Sequence, residues 1–262
     1  MKKILLAILL TALLAGCAPT ATEPAPTTQP QTTAPAQTTL PAETTLPAET
    51  TAAPTTEPAI TAPEELCALL AESGSSLQHL AQLGCTQLMT VVSNGSSAQL
   101  ELYIMENYRW QQQKALSCPG FVGKNGTNPQ KQEGDKCSPR GLFPILEAFY
   151  IDAAPETGLS AFQITNGTYW VDDPNSAYYN QRVIGTENKD WRSAERMWKS
   201  PDLYEYGFVI GYNTEAVPHA GSAIFFHVSD HYTAGCVATD RAHLLQYLAA
   251  LSAQSNPYIL IY

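Results

Sequence analysis

The 262-residue chain has 14 basic and 24 acidic residues, a formal net charge of −10, and 44% hydrophobic residues. This acidic balance argues against nucleic acid as a partner, because binding to a phosphate backbone depends on lysine and arginine. None of the six cysteines forms a C-x-x-C pair of the kind found in zinc ribbons. His227, His231 and Cys236 are an alternative zinc set, but ligands on a strand end and a short turn seldom converge tetrahedrally, so we predict no metal site. We also expect no cofactor.

The N-terminal segment predicts export. Two lysines precede an apolar run over residues 4–14, which is shorter than the roughly twenty residues that a bilayer-spanning helix needs. This pattern predicts a signal peptide over residues 1–16. Leu14-Ala15-Gly16-Cys17 looks like a bacterial lipobox, so we expect Cys17 to be lipidated and the protein to be extracytoplasmic, held at the bacterial cell membrane by its lipid. The alternative is an ordinary cleaved signal with an incidental cysteine.

Residues 17–63 have the composition of a linker. They contain ten of the 19 prolines, many threonines, no lysine or arginine, and a tandem Thr-Thr-Leu-Pro-Ala-Glu repeat over 38–49. Such a segment cannot bury enough apolar surface to fold. We predict a disordered tether, extended by its prolines, that holds the rest of the chain away from the membrane.

The remaining residues predict one mostly β domain with few helices. Leucines at helical spacing over 64–83, interrupted near Gly74, predict one or two short helices in a lead-in over 64–85, followed by a domain over 86–262. Asn94-Gly95 between two alternating segments predicts a hairpin. Residues 120–141 are predicted to be loop, 172–203 a long excursion, and 241–251 a helix. Strands are predicted over 88–92, 100–105, 108–116, 142–150, 162–164, 206–212, 222–228 and 257–262.

Apart from Cys17, five cysteines remain. In an oxidising compartment they are expected to pair where they can. Four of them fall into two closely spaced couples, Cys67 with Cys85 and Cys118 with Cys137. Four cysteines allow three pairings, so this connectivity stays open. Cys236 is left over, either as a reactive thiol or as a small buried hydrophobic residue.

The segment around Cys236 contains the residues that a cysteine nucleophile requires. A free thiol is only a few per cent thiolate at neutral pH and needs a base, and His227, at the end of a predicted strand, can supply it. The glycine before the cysteine permits a tight turn, in which the N–H groups of Gly235 and Cys236, with Ala234 as a third donor, would point at an oxyanion. Thr233 would fix the loop or bind substrate.

This segment resembles the catalytic domain of L,D-transpeptidases (YkuD-type). In that family a strand-borne histidine is followed by Ser/Thr-x-Gly-Cys, which matches His227 and Thr233-Ala234-Gly235-Cys236. Upstream, Gly123-Lys124-Asn125-Gly126 and Ser138-Pro139-Arg140-Gly141-Leu142-Phe143 look like the family's glycine-rich loop and Thr-Pro-x-Gly-x-Phe motif. The chain departs from the family at Val228, Ala234 and Ala238, where glycine, histidine and arginine are common.

The resemblance implies an L,D-transpeptidase-like β-sandwich over 86–262 and a cysteine acyltransferase. Cys236 would be the nucleophile and His227 its base, acting on peptidoglycan stem peptides to form a cross-link or release D-alanine. A different class of function is a catalytically inactive, peptidoglycan-binding lipoprotein of the same fold. An unrelated cysteine protease is a third possibility, but it leaves the upstream motif unexplained.

Overall fold

A computed structural model describes residues 58–262. The predicted signal peptide over 1–16, the predicted lipidation site Cys17 and nearly all of the predicted linker over 17–63 lie outside the described residues. Between residues 58 and 262, no helix is long and apolar enough to cross a membrane.

Strands dominate the described part of the chain, which confirms the predicted mostly β class. The helices are α1 (Glu64–Glu72), α2 (Leu77–Gln82), α3 (Pro201–Tyr204) and α4 (Arg241–Ala250). The strands of the main sheet are β1 (Gln87–Asn94), β2 (Ser97–Glu106), β3 (Arg109–Gln112), β4 (Cys118–Phe121), β7 (Gly141–Tyr150), β8 (Ala161–Gln163), β12 (Tyr206–Ile210), β13 (Phe225–Val228), β14 (Val237–Thr239) and β15 (Tyr258–Ile261). The strands of two smaller sheets are β5 (Thr127–Asn128), β6 (Ser138–Pro139), β9 (Thr168–Val171), β10 (Arg182–Ile184) and β11 (Ala194–Arg196).

The main sheet closes on itself. Its strand order is β1-β15-β7-β12-β13-β14-β4-β2, and β2 pairs back with β1. Closure follows from β1, which pairs parallel with β15 on one edge and antiparallel with β2 on the other, so neither edge is left unpaired. The result is an eight-stranded, barrel-like sheet in place of the predicted sandwich of two facing sheets.

The N-terminal elements follow the sequence pattern closely. The leucines at helical spacing form α1 and α2, separated at Gly74, where φ is +75°. Ser76 caps α2 by accepting a hydrogen bond from His79 N at 3.1 Å. The predicted hairpin is also present, since β1 and β2 pair antiparallel across the Asn94-Gly95 turn.

The core inside the barrel is built from alternate side chains of the central strands. Phe226 of β13 stacks on Phe208 of β12 with ring centroids 4.9 Å apart, and both are fully buried. Because side chains alternate along a strand, Phe225 and His227 project to the opposite face of β13. There Phe225 packs in a second apolar cluster together with Cys236.

This opposite face is covered by β9 and by the predicted excursion over 172–203 that follows it. β9 pairs with both β10 and β11 in a separate three-stranded sheet, and α3 follows it. Trp170 of β9 packs edge-on against Phe225 at 5.0 Å. The predicted loop over 120–141 contains two-residue strands β5 and β6, which pair parallel, and its first residues belong to β4.

All five cysteines between residues 58 and 262 are free thiols. The couples predicted from spacing, Cys67 with Cys85 and Cys118 with Cys137, are therefore not formed. Cys67 is exposed whereas Cys85 is fully buried. Cys118 is buried on β4 with its Sγ 3.6 Å from the Tyr247 hydroxyl, whereas Cys137 is only partly buried in a loop. Proximity in sequence did not bring these thiols to one face of the fold.

Candidate active site

Cys236 and His227 are brought to one cavity by two neighbouring strands. His227 lies on β13 and pairs with Ala238 of β14, to which β13 is parallel, and Cys236 directly precedes β14. Both residues line a cavity of about 560 Å³. The other predicted site residues, Thr233, Ala234 and Gly235, line the same cavity.

The Cys236 thiol is buried, with 9% of the residue exposed. Its Sγ donates a hydrogen bond to Ala223 O at 3.3 Å and accepts one from Phe225 N at 3.4 Å. Burial raises the pKa of this thiol to about 12, and the nearby charge of Glu195 acts in the same direction. Cys236 is therefore a protonated thiol in the resting structure.

The imidazole of His227 is held by a backbone carbonyl. Its Nδ1 lies 2.8 Å from Val228 O, so Nδ1 carries the proton and donates it to this bond. The other ring nitrogen, Nε2, is then unprotonated and can act as a base. Burial lowers the pKa of His227 to about 4, which keeps the ring neutral at physiological pH. The sequence could not identify this orienting group, because any residue supplies a carbonyl.

The thiol and the imidazole are not hydrogen-bonded to each other within residues 58–262. Both bonds of Cys236 Sγ go to the backbone of the segment that leads into β13. With a raised thiol pKa and a lowered imidazole pKa, the pair is neutral and not a preformed thiolate–imidazolium. Catalytic hydrogen bonds are often long in ligand-free enzymes and shorten when substrate binds.

Thr233 fixes the loop that carries the nucleophile, which is one of the two roles predicted for it. Its Oγ1 donates to Cys236 O at 2.6 Å and accepts from Gly235 N at 3.1 Å. The Gly235 amide is thus used inside the loop, and the prediction that it points at an oxyanion does not hold in this structure. Gly235 has φ +154°, and a Cβ there would lie 3.1 Å from Cys137 O. The position therefore requires glycine.

Ser138 belongs to the site, although the sequence indicated no role for it beyond its place in the upstream motif. It is fully buried, donates from Oγ to Cys236 O at 2.8 Å, and accepts from Gly123 N at 2.9 Å. The carbonyl of the nucleophile is therefore held by two hydroxyls, those of Ser138 and Thr233. The Ser138-Pro139 motif could have marked Ser138 as a site residue. Its contact with Cys236 was not predictable, because only the fold brings the two residues together.

Glu195, from the excursion over 172–203, and Tyr204, directly after it, line the cavity and were not predicted. The buried ring of Tyr204 packs on His227. Burial raises the pKa of Glu195 and raises that of Tyr204 well above its ordinary value. No periodicity in residues 172–203 marked Glu195, and no sequence motif included Tyr204.

Charges of both signs line the cavity. The cations are Lys124, Lys131 and Lys136, and the carboxylates are Glu133, Asp172 and Glu195. Burial raises the pKa of Asp172. Among residues 58–262, no group of three or more histidine, cysteine or acidic side chains is arranged to hold a metal ion.

Comparison with known proteins identifies the N-terminal segment. The family model for prokaryotic membrane lipoprotein lipid attachment sites matches residues 1–18, one residue beyond Cys17. This match confirms the predicted localisation, and the protein is a lipoprotein anchored by lipid in the cell envelope.

The domain itself has only distant matches. No L,D-transpeptidase family model matches the chain, and no curated protein does. The helical cell shape determining protein Pgp2 from Campylobacter jejuni is a solved structure with TM-score 0.37 and 12% identity over 67% of this chain and 47% of that chain. A point mutant of the same protein gives TM-score 0.35 and 12% identity over 67% and 46%. The chain thus covers about half the length of these structures. At this level of similarity they determine neither its fold nor its function.

Proposed function

We propose that this lipoprotein is a cysteine acyltransferase that acts on peptidoglycan stem peptides, as an L,D-transpeptidase or L,D-carboxypeptidase. The observation that carries the proposal is the placement of Cys236 and His227 on neighbouring strands around one cavity. His227 Nδ1 is occupied by Val228 O, which leaves Nε2 as the base. The resemblance of this segment to the L,D-transpeptidase motif supplies the substrate class.

The reaction follows from this geometry as two acyl transfers. When substrate binds, His227 Nε2 approaches the Cys236 thiol and accepts its proton. The Sγ atom then attacks the carbonyl carbon before the terminal D-alanine. A C–S bond forms, the C–N bond breaks, and the imidazolium returns the proton to the departing amine. The thioester then passes to an amine, giving a cross-link, or to water, giving a shortened peptide, and the thiol is regenerated.

The developing oxyanion requires hydrogen-bond donors beside Sγ. Of the amides predicted for this role, that of Gly235 is bonded to Thr233. The amides of Cys236 and Ala234 are the remaining predicted donors. The two hydroxyls on Cys236 O hold the loop so that these amides keep a fixed position relative to the thiol.

One observation favours a second candidate, an inactive lipoprotein that binds peptidoglycan. The Cys236 thiol is buried, and burial raises its pKa to about 12. Among the described residues, this thiol has no hydrogen bond to His227. A buried cysteine with no catalytic role would have the same properties.

Turnover separates the two candidates. The full lipoprotein in detergent is incubated with purified tetrapeptide stems, and products are identified by mass spectrometry. The enzyme releases D-alanine or forms a cross-linked dimer, and Cys236→Ala does neither. The matched control is Cys67→Ala, which removes an exposed thiol and leaves turnover unchanged. Binding of stems without turnover by the folded wild type would establish the inactive lipoprotein.

A further inference from the structure

Lys131 is a buried cation beside the nucleophile. Its side chain is 4% exposed and lines the cavity of Cys236. A Cβ on Gly235 would lie 3.2 Å from Lys131 Nζ. Because adjacent Cα atoms are about 3.8 Å apart, the ammonium group lies within about one residue of the backbone of Cys236.

The hydrogen-bonding capacity of this ammonium group is not filled. Nζ donates to Asp135 Oδ1 at 2.9 Å and, more weakly, to Gln132 O at 3.4 Å. An ammonium group has three N–H donors, and within residues 58–262 no third acceptor contacts it. A buried donor of this kind calls for a partner.

The ion pair of Lys131 is held in place by the loop that carries it. Asp135, its ion-pair partner, accepts two further bonds at 2.9 Å, from Cys137 N and Gln132 N. These bonds fix the carboxylate in its loop, so Lys131 is held at the cavity wall with one N–H unused in the described part of the chain. An anionic ligand in the cavity would accept a charge-assisted hydrogen bond from that N–H.

We propose that Lys131 binds the free α-carboxylate of the terminal residue of the donor peptide, and this rests on the function proposed above. In that peptide the carboxylate belongs to the residue directly after the scissile carbonyl, so about one residue separates the two groups. Lys131 lines the same cavity as Cys236, and its ammonium group lies beside Gly235, the residue before the nucleophile. Lys131 thereby makes the enzyme specific for the chain end of the peptide.

The test compares tetrapeptide stems that end in a carboxylate with the same stems ending in a carboxamide. A charge-assisted bond contributes about 1.5–3 kcal/mol, which is about 10- to 100-fold in kcat/KM. Wild type prefers the carboxylate by this factor, and Lys131→Met turns over both stems at the carboxamide rate. The matched control Lys124→Met, also in the cavity wall, keeps the preference. Equal turnover of both stems by wild type, or an unchanged preference in Lys131→Met, overturns the proposal.

A purely structural role for the Lys131–Asp135 ion pair predicts a different result. Asp135→Asn breaks the ion pair but keeps the ammonium group, so the carboxylate preference persists if Lys131 binds substrate. If Lys131→Met does not fold, Lys131→Arg is measured instead, and we expect it to retain the preference for the carboxylate stem. A folded Asp135→Asn or Lys131→Arg variant that loses this preference would contradict the assignment.

Binding to the Cys236→Ala variant separates this inference from the proposed function. Calorimetry measures the affinity of each stem without turnover. One outcome would reject the acyltransferase and support the Lys131 site: wild type turns over neither stem, but Cys236→Ala binds the carboxylate stem about 10- to 100-fold more tightly than the carboxamide stem. In that case the double variant Cys236→Ala, Lys131→Met should bind both stems equally. If wild type turns over both stems at the same rate, the acyltransferase is supported and the Lys131 site is rejected. Equal or absent binding of both stems rejects the Lys131 site.

Discussion

The ring of Tyr204 packs edge-on against the imidazole of His227, with centroids 5.5 Å apart and planes at 71°. Tyr204 ends α3, whereas His227 lies on β13, so the contact joins α3 to the barrel. Tyr204 also packs against Phe225 at 5.9 Å. Together with the Val228 carbonyl, this ring fixes the plane in which His227 Nε2 can accept a proton.

Tyr204 is therefore expected to act as a positioning residue. Tyr204→Ala removes the ring that holds the imidazole, and we expect kcat to fall about 100-fold, since a misplacement of about 1 Å has an effect of this size. Tyr204→Phe keeps the ring and retains most of the activity. Steady-state kinetics on stems, with thermal unfolding to confirm folding, measures both. A loss in Tyr204→Phe as large as in Tyr204→Ala would assign the role to the hydroxyl instead.

Ser138→Ala is expected to loosen the nucleophile loop. The variant removes one of the two hydroxyls on Cys236 O and leaves the buried Gly123 N without its acceptor. The expected loss in the free energy of unfolding is about 1–3 kcal/mol, measured by urea denaturation, together with a lower kcat. Ser160→Ala, at an exposed position, is the control. Equal stability of the two variants would show that the Ser138 hydroxyl does not hold the loop.

Burial of neutral His227 predicts a pH dependence of stability. Its pKa is about 4 when folded and about 6.5 ordinarily, so between these values the unfolded chain binds more protons than the folded one. This contribution is complete above pH 6.5 and is lost as pH falls toward 4. His227→Gln should flatten the wild-type curve of unfolding free energy in this window, whereas exposed His79→Gln should not. Parallel curves for wild type and His227→Gln would mean that His227 is not buried.

The raised pKa of Cys236 predicts its reactivity in the absence of substrate. Since only the thiolate is alkylated, the labelling rate at Cys236 should still rise about tenfold per pH unit at pH 9–10, because its pKa is about 12. Exposed Cys67 should label faster than Cys236 at pH 7. Peptide mapping after iodoacetamide pulses measures both rates. A Cys236 rate that levels off near neutral pH would show a preformed thiolate.

Local patterns in the sequence were sufficient for the elements whose contacts are local. Helical leucine spacing predicted α1 and α2, and Asn94-Gly95 predicted the β1–β2 hairpin. Barrel closure was not predictable in this way, since it depends on Leu88 of β1 pairing with Tyr258 of β15 at the other end of the domain. Alternation of side chains describes each strand but does not reveal which edges meet.

The residues of the candidate site also differ in whether local sequence patterns could predict them. His227 and Cys236 were predicted because they occur together in a short motif. Glu195 was missed because it belongs to an excursion without periodicity, and Tyr204 was missed because it directly follows that excursion and belongs to no motif. Both reach the cavity only through the fold. The pairing of Cys67 with Cys85 and of Cys118 with Cys137, suggested by spacing alone, is not formed in the structure, since closeness in sequence does not determine which thiols meet in the fold.

The acyl intermediate is the most direct evidence for the proposed reaction. The full lipoprotein is mixed with tetrapeptide stems, quenched in acid within one turnover, digested and mapped by mass spectrometry. We predict the mass of a stem peptide without its terminal D-alanine, joined as a thioester to the peptide containing Cys236 and absent from His227→Ala. Hydrolysis or cross-linking of the stems with no adduct on Cys236, or with turnover preserved in Cys236→Ala, would contradict cysteine acyl transfer at this site.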